Sequence, residues 1–153
     1  MEFRRAVPAD LEALMRLQAD FYREDGYVHR IAAARDAWTM LLGNERLGEA
    51  WLVDSTKPQA GAIGYVVVTF SFSLEFLGRD AFVDELFVER EWRGQGLGRK
   101  ALVVAETICR NAGVRALHLE MEHGKQAAAR LYRAWGFVDH RRALMTKWLD
   151  APE

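Results

Sequence analysis

Cysteine is nearly missing from this chain: Cys109 is the only one in 153 residues, so no internal disulfide can form and nothing in the count points to an oxidising compartment. A basic excess is missing too, since 21 Lys and Arg stand against 22 Asp and Glu for a formal charge of -1. Duplex-binding domains usually carry such an excess, so no nucleic-acid partner is expected. Long apolar runs are absent. The longest, around Ile63 to Phe72, is interrupted by Gly64, Thr69 and Ser71, far short of the roughly 20 residues a membrane helix needs. From Met1 to Asp10 the chain mixes Glu2, Arg4 and Arg5 with isolated apolar residues, which is not the pattern of a secretory leader. These gaps lead to the expectation of a soluble protein of the reduced cytoplasm with no membrane partner. What is present is ordinary globular composition, 50% hydrophobic and 28% charged, at a length that suits a single domain over residues 1–153. No repeat, low-complexity tract or linker interrupts it.

Pro8 suits a first helical turn, and Leu11, Leu14, Met15, Leu17 and Phe21 then recur at helical spacing, which predicts a first helix to about Arg23. Asp25-Gly26 breaks it. A second helical pattern runs from Ile31 to Leu42 and stops at Gly43-Asn44. A short strand is expected around Phe3, then strands from Ala50 to Val53, Gly64 to Phe72 and Phe82 to Val88, with Lys57-Pro58 and Gly78-Arg79-Asp80 as breaks. A helix from about Leu97 to Asn111 closes at Gly113. Ala116 to Met121 reads as a strand, Gln126 to Trp135 as a helix ended by Gly136, and Val138 to Leu149 as two closing strands. The order β-α-α-β-β-β-α-β-α-β-β implies an α+β fold, a mixed and mostly antiparallel sheet with helices on both faces.

The most informative segment is Arg93-Gly94-Gln95-Gly96-Leu97-Gly98-Arg99, where a strand passes into a helix. Unpaired amides and the positive end of the helix dipole converge there, and glycines let anionic oxygens approach the backbone. Arg93 and Arg99 add charge suited to a phosphate. The turn is not a P-loop, because Arg99-Lys100-Ala101 follows Gly98 where Lys-Ser/Thr is needed. It is not a Rossmann fingerprint either, because Arg99 stands where a third glycine would.

Arg93, Gly96 and Gly98 resemble the Arg/Gln-x-x-Gly-x-Gly/Ala motif of the GNAT acetyltransferases. The flanks are similar to the family as well: Leu86-Phe87-Val88 before the turn, then Leu119-Glu120-Met121, Ala128, Leu131-Tyr132 and Trp135-Gly136-Phe137 after it. The resemblance covers essentially the whole chain. It implies two parallel strands that splay apart, with the pantetheine arm of acetyl-CoA in the gap, paired to the main chain of Leu86, Phe87 and Val88 like an extra strand. It also implies that Gly94, Gln95, Gly96, Leu97, Gly98 and Arg99 take the pyrophosphate. Lys125 departs from the family pattern, standing where many members have an Asn that helps hold the cofactor arm; whether it takes over that role is open, and a contact with a cofactor phosphate is the expectation.

The implied reaction is N-acetyl transfer to a primary amine of a small molecule or peptide in a ternary complex. An alkyl amine has a pKa of about 10.4, so on the order of one molecule in a thousand is neutral at pH 7, a penalty of about 4 kcal/mol. A carboxylate can take that proton. Glu120, Glu85 and Asp84 are the candidates, with strand alternation setting Asp84 beside Leu86 and Val88, and Glu85 beside Val83 and Phe87. Tyr132 matches the tyrosine that the family uses as general acid toward the leaving thiolate. His118, Glu120, Glu122 and His123 cluster in sequence, but alternation separates His123 from the rest and the chemistry needs no metal. Asp20, Glu24 and Asp25 beside Phe21, Tyr22 and Tyr27, with Glu75 across the groove, suggest an acceptor carrying a second positive charge. An acyl-CoA-binding sensor domain without turnover is the alternative, and oligomeric state, a homodimer included, stays open.

Overall fold

The computed structural model describes residues 1–57, 60–121, 124 and 126–149. They form two compact units, Met1–Leu119 and a smaller one that begins at Glu120. The first unit is built on a five-stranded sheet ordered β1-β2-β3-β4-β5, with β1 Glu2–Arg5, β2 Gly48–Asp54, β3 Ala62–Ser73, β4 Gly78–Val88 and β5 Ala116–Leu119. The first four are joined antiparallel and β5 runs parallel to β4.

Helix α1, Leu11–Asp25, follows a short 3-10 turn that holds Pro8. It ends at Gly26, whose φ of +77° lets its amide turn back to the Tyr22 carbonyl, a left-handed cap open to glycine at no steric cost. Helix α2 spans Ile31–Leu42. The two bury Leu14, Leu17 and Trp38 on one face of the sheet, against Leu52, Tyr65, Val67 and Phe87. Helix α3, Leu97–Asn111, covers the other face with Ala101, Ala105, Ile108 and Cys109 against Val66, Val68, Ala81 and Val83. Burial, with a smaller contribution from the charge of Glu106, pushes the Cys109 thiol up to about 11. It is a small core residue, as its neighbours in sequence suggest.

At Gly64 the sheet requires a missing side chain. Gly64 pairs with Val88, and a Cβ there would stand 2.5 Å from the Phe87 carbonyl oxygen. Only glycine lets β3 lie this close to the end of β4.

Three sequence expectations change here. Gly78-Arg79-Asp80 opens β4 rather than interrupting the chain, because each residue pairs with β3 from Ser73 to Ser71. β5 stops at Leu119, so Glu120 lies past the strand instead of on it. Residues 138–149 carry no strand among the described residues. Near the start of this segment Asp139 Oδ1 accepts the Arg141 amide at 2.7 Å and Arg141 takes a φ of +53°, a turn that interrupts extended backbone at that point. The second unit otherwise holds α4, Gln126–Ala134, closed at Gly136 with a φ of +96°.

Candidate functional site

Glu85 gathers the densest polar network near the sheet centre. The register of β4 slips there: Val67 pairs with Glu85 and Val68 with Val83, which leaves Asp84 as the extra residue of a bulge. A bulge reverses the in-out alternation beyond it. Val83 therefore packs with the α3 side and Phe87 with the α1 side, so Glu85 shares a face with Phe87 but not with Val83, as simple alternation has it. Asp84 is exposed on the bulge.

The Glu85 carboxylate accepts the Tyr22 hydroxyl at 2.7 Å on Oε1 and the Tyr65 hydroxyl at 2.7 Å on Oε2. The Gln18 amide nitrogen donates to both oxygens, at 3.0 and 3.1 Å. Gln18 cannot be turned around, because its oxygen accepts the Trp38 indole N–H at 2.9 Å and an indole only donates. His29 Nε2 lies 3.3 Å from the same oxygen, which makes that nitrogen the protonated one. Burial and, next, the charge of Glu85 drive the ionisation of Tyr22 and Tyr65 well above the ordinary phenol value. Both phenols stay donors. Around Tyr22 stand the rings of Phe21, Tyr27 and His29, each with its centroid 5.6 Å away.

Sequence reasoning named Glu85 but missed its holders. Gln18 and Tyr22 are one helical turn apart on α1, a spacing that could have flagged them; Tyr65 sits inside a valine run and gives no such signal. Of the other carboxylates, Glu120 is exposed beyond the end of β5. His118 is on β5 with its ring against Phe76 and Phe82. Its Nε2 lies 3.3 Å from Asp80 Oδ2 but makes no aligned hydrogen bond. Among the described residues no group of His, Cys, Asp and Glu could hold a metal ion; Glu122 and His123 lie outside them.

Two of the four acids expected around the acceptor, Asp20 and Glu24, are engaged by arginines. Asp20 pairs with Arg23 and with Arg16, and Glu24 is held by Arg93. These acids are neutralised in place, so they supply little long-range field for a cation.

The edge of β4 next to β5 is where an extended ligand could lie. Parallel pairing runs from Asp80↔Ala116 to Val83↔Leu119 and no further, so among the described residues Leu86, Phe87 and Val88 pair with β3 alone. Beyond them come Gly94 and Gly96, with φ of +77° and +78°. A Cβ built on either would meet nothing within 4 Å, so open space adjoins the backbone. Gly96 is the N-cap of α3 and has no side chain to cap the amides of Leu97, Gly98 and Arg99. Gln95 and Arg99 are exposed at that mouth. Leu97, 2% exposed, packs with Val53, Ile63 and Val88 and fixes the turn to the sheet. Donors, dipole and room together fit a pyrophosphate.

Arg93 is engaged by the protein itself. Its Nε donates to the Val88 carbonyl at 2.7 Å, its remaining nitrogens clasp Glu24, and its plane lies over Phe87. It fastens α1 to the end of β4. Lys125 lies outside the described residues. Tyr132 is on α4, with its ring edge-on to Phe137 at 5.9 Å.

Residues 11–137 match the model of the acetyltransferase (GNAT) family. A thialysine N-epsilon-acetyltransferase of Bos taurus is 31% identical over 77 residues, which cover 50% of this chain and 45% of that protein. A mycothiol acetyltransferase of Nocardiopsis dassonvillei is 40% identical over 51 residues, 33% of this chain and 16% of the other. The matched stretches thus span half or less of these curated relatives. Among solved structures, an integron cassette protein from the mobile metagenome of Cole Harbour Salt Marsh superposes with a TM-score of 0.84 at 36% identity, over 98% of this chain and 91% of that one. No helix among the described residues is long and apolar enough to cross a membrane.

Proposed function

The chain belongs to the GNAT family of acetyltransferases, and on that premise we propose that it transfers the acetyl group of acetyl-CoA to a primary amine by direct attack, with Glu85 drawing off the amine's proton. Acetyl-CoA supplies the activated thioester. The main chain of Leu86, Phe87 and Val88 offers the pantetheine arm an unpaired edge, and the Gly94 to Arg99 turn receives the pyrophosphate on its amides. Tyr132 is the donor assigned to the departing thiolate, and Lys125 is a further cofactor contact. Asp84 and Glu120, both exposed, are left as secondary candidates for the base.

The observation that carries this reading is the clamp on Glu85. Three donors hold one carboxylate in one place on the α1 face of β4, one residue before the segment with the open edge. General-base help from a carboxylate so fixed is worth about 10²–10⁴-fold. The acceptor is proposed to be an alkyl primary amine on a flexible chain, in keeping with the relative named for the ε-nitrogen of thialysine. The aromatic wall of Phe21, Tyr22 and Tyr27 suits such a group, and cation–π contact adds about 0.5–2 kcal/mol for its charged form.

Thiol release from acetyl-CoA, measured against thialysine, lysine, spermidine, an aminoglycoside and an alanyl peptide, tests this. At least one alkyl amine is expected to accelerate release 100-fold or more over buffer, in line with base catalysis. Acetyl-CoA binding with no acceleration by any amine would favour a cofactor-binding domain without turnover.

A further inference from the structure

A carboxylate offers about four acceptor positions, and three donors already crowd Glu85: Tyr22 at Oε1, Tyr65 at Oε2 and the Gln18 amide nitrogen shared between the two oxygens. An incoming amine that reached the carboxylate directly would have to share it with all three. The alternative is to pass its proton through one. Gln18 and Tyr65 are 8% and 1% exposed, and an amide nitrogen that only donates cannot accept a proton in passing. Tyr22 is half-buried; its oxygen donates to Glu85 and accepts only a long contact of 3.5 Å from the Gln18 amide nitrogen, so acceptor capacity remains for an incoming N–H.

We propose that the phenol of Tyr22 relays the acceptor's proton to Glu85. The inference deepens the reading above and rests on Glu85 being the base. In the relay an N–H bond of the acceptor ammonium breaks as a new O–H bond forms on Tyr22. The original Tyr22 O–H bond breaks as one forms on Glu85 Oε1, 2.7 Å away. The nitrogen keeps its electron pair for attack on the acetyl carbonyl. The two transfers are concerted, so no tyrosinate accumulates. That is consistent with the environment of the phenol, since burial, Glu85, Asp84 and Tyr27 all oppose its ionisation.

Its neighbours hold the relay in register. Trp38 fixes the Gln18 amide, Gln18 and Tyr65 fix Glu85, and the rings of Phe21, Tyr27 and His29 box the Tyr22 ring. Tyr65 is the internal control. It makes the same bond to the same carboxylate at the same distance, 2.7 Å, but is buried away from any acceptor.

The test compares Tyr22→Phe, Tyr65→Phe and Tyr22→His with the parent, using acetyl-CoA and whichever of the five amines named above turns over fastest. Tyr22→Phe is expected to lower kcat/KM about 100-fold, the lower part of the range for proton transfer, and to shrink the solvent isotope effect. Tyr65→Phe is expected to cost only several-fold. Tyr22→His, which keeps a ring able to pass a proton, is expected to restore part of the loss. Melting temperature and calorimetric affinity for acetyl-CoA establish that each variant is folded and loaded. Parental kcat/KM in Tyr22→Phe would overturn the relay. An equal loss in Tyr65→Phe, or no recovery in a folded Tyr22→His, would reduce Tyr22 to a clamp and overturn it too. If the parent itself turns over none of the amines, the acetyl-transfer reading falls, and the relay with it.

Discussion

Replacing Glu85 by Gln is expected to lower the rate of acetyl transfer by about 10²–10⁴-fold while acetyl-CoA still binds. The substitution keeps the shape of the side chain and removes its capacity to take a proton. Its amide oxygen can still accept one phenol, but its NH₂ now faces donors: Tyr22, Tyr65 and the Gln18 amide. Some of those bonds must be lost or reversed, and the resulting destabilisation should be about 1–3 kcal/mol. The pH profile supplies the sign. A base works only when deprotonated, so the parental rate rises with pH and then levels while the amine is still mostly protonated. In Glu85→Gln that plateau disappears, and the rate should follow the neutral fraction of the amine upward toward its own pKa of about 10.4. Single-turnover rates across pH make the comparison. Asp84→Asn and Glu120→Gln, changes to exposed carboxylates, should leave the profile in place. A parental profile in Glu85→Gln and loss of the plateau in either of the others would move the base.

Asparagine at Gly96 should lower acetyl-CoA affinity by 10- to 100-fold, about 1.4–2.7 kcal/mol, with little change in melting temperature. Most residues would be a poor choice here, because a φ of +78° costs an ordinary L-residue about 1–2 kcal/mol. Asn visits that region more readily than most. A Cβ at Gly96 meets no protein atom within 4 Å, so the free protein accommodates it. The added side chain then stands at the N-cap of α3 beside the first-turn amides. Any hydrogen bond it accepts from them occupies a donor meant for phosphate. Stability is therefore retained, or slightly raised, while binding falls. Calorimetric titration decides it, and a variant that binds as tightly as the parent would place the pyrophosphate elsewhere.

Local chemistry was legible in the sequence where it determines local structure. Helix α3 begins at Leu97 and ends at Asn111, where the glycines on either side put its ends. Helix α2 likewise stops at Gly43. The bulge at Asp84 was not legible, since it is a mismatch between two strands and neither sequence alone records it. That one extra residue in β4 set Glu85 on a different face from Val83. The partner of Arg93 was not legible for a related reason. A guanidinium beside a phosphate-type turn suggests an anion, and the Glu24 carboxylate that holds it comes from a helix 69 positions away in the chain. The clamp on Glu85 likewise assembles α1, β3 and β4. Its members are ordinary core or strand residues until the fold brings them together. Residues 138–149 look like strands by their apolar content, yet they carry none, and the Asp139 side chain bonded to the Arg141 amide turns the chain near the start of the segment.

The central claim is where acetyl-CoA lies, and amide hydrogen exchange with and without the cofactor tests it most directly. Backbone amides of Leu86 to Val88 and of Gly94 to Arg99 should exchange more slowly when acetyl-CoA is added, because the first set gains a strand-like partner and the second gains phosphate oxygens. Amides of β1 and β2, which already pair within the sheet, should change far less. Protection that appears elsewhere while both of those segments exchange as before would contradict the account.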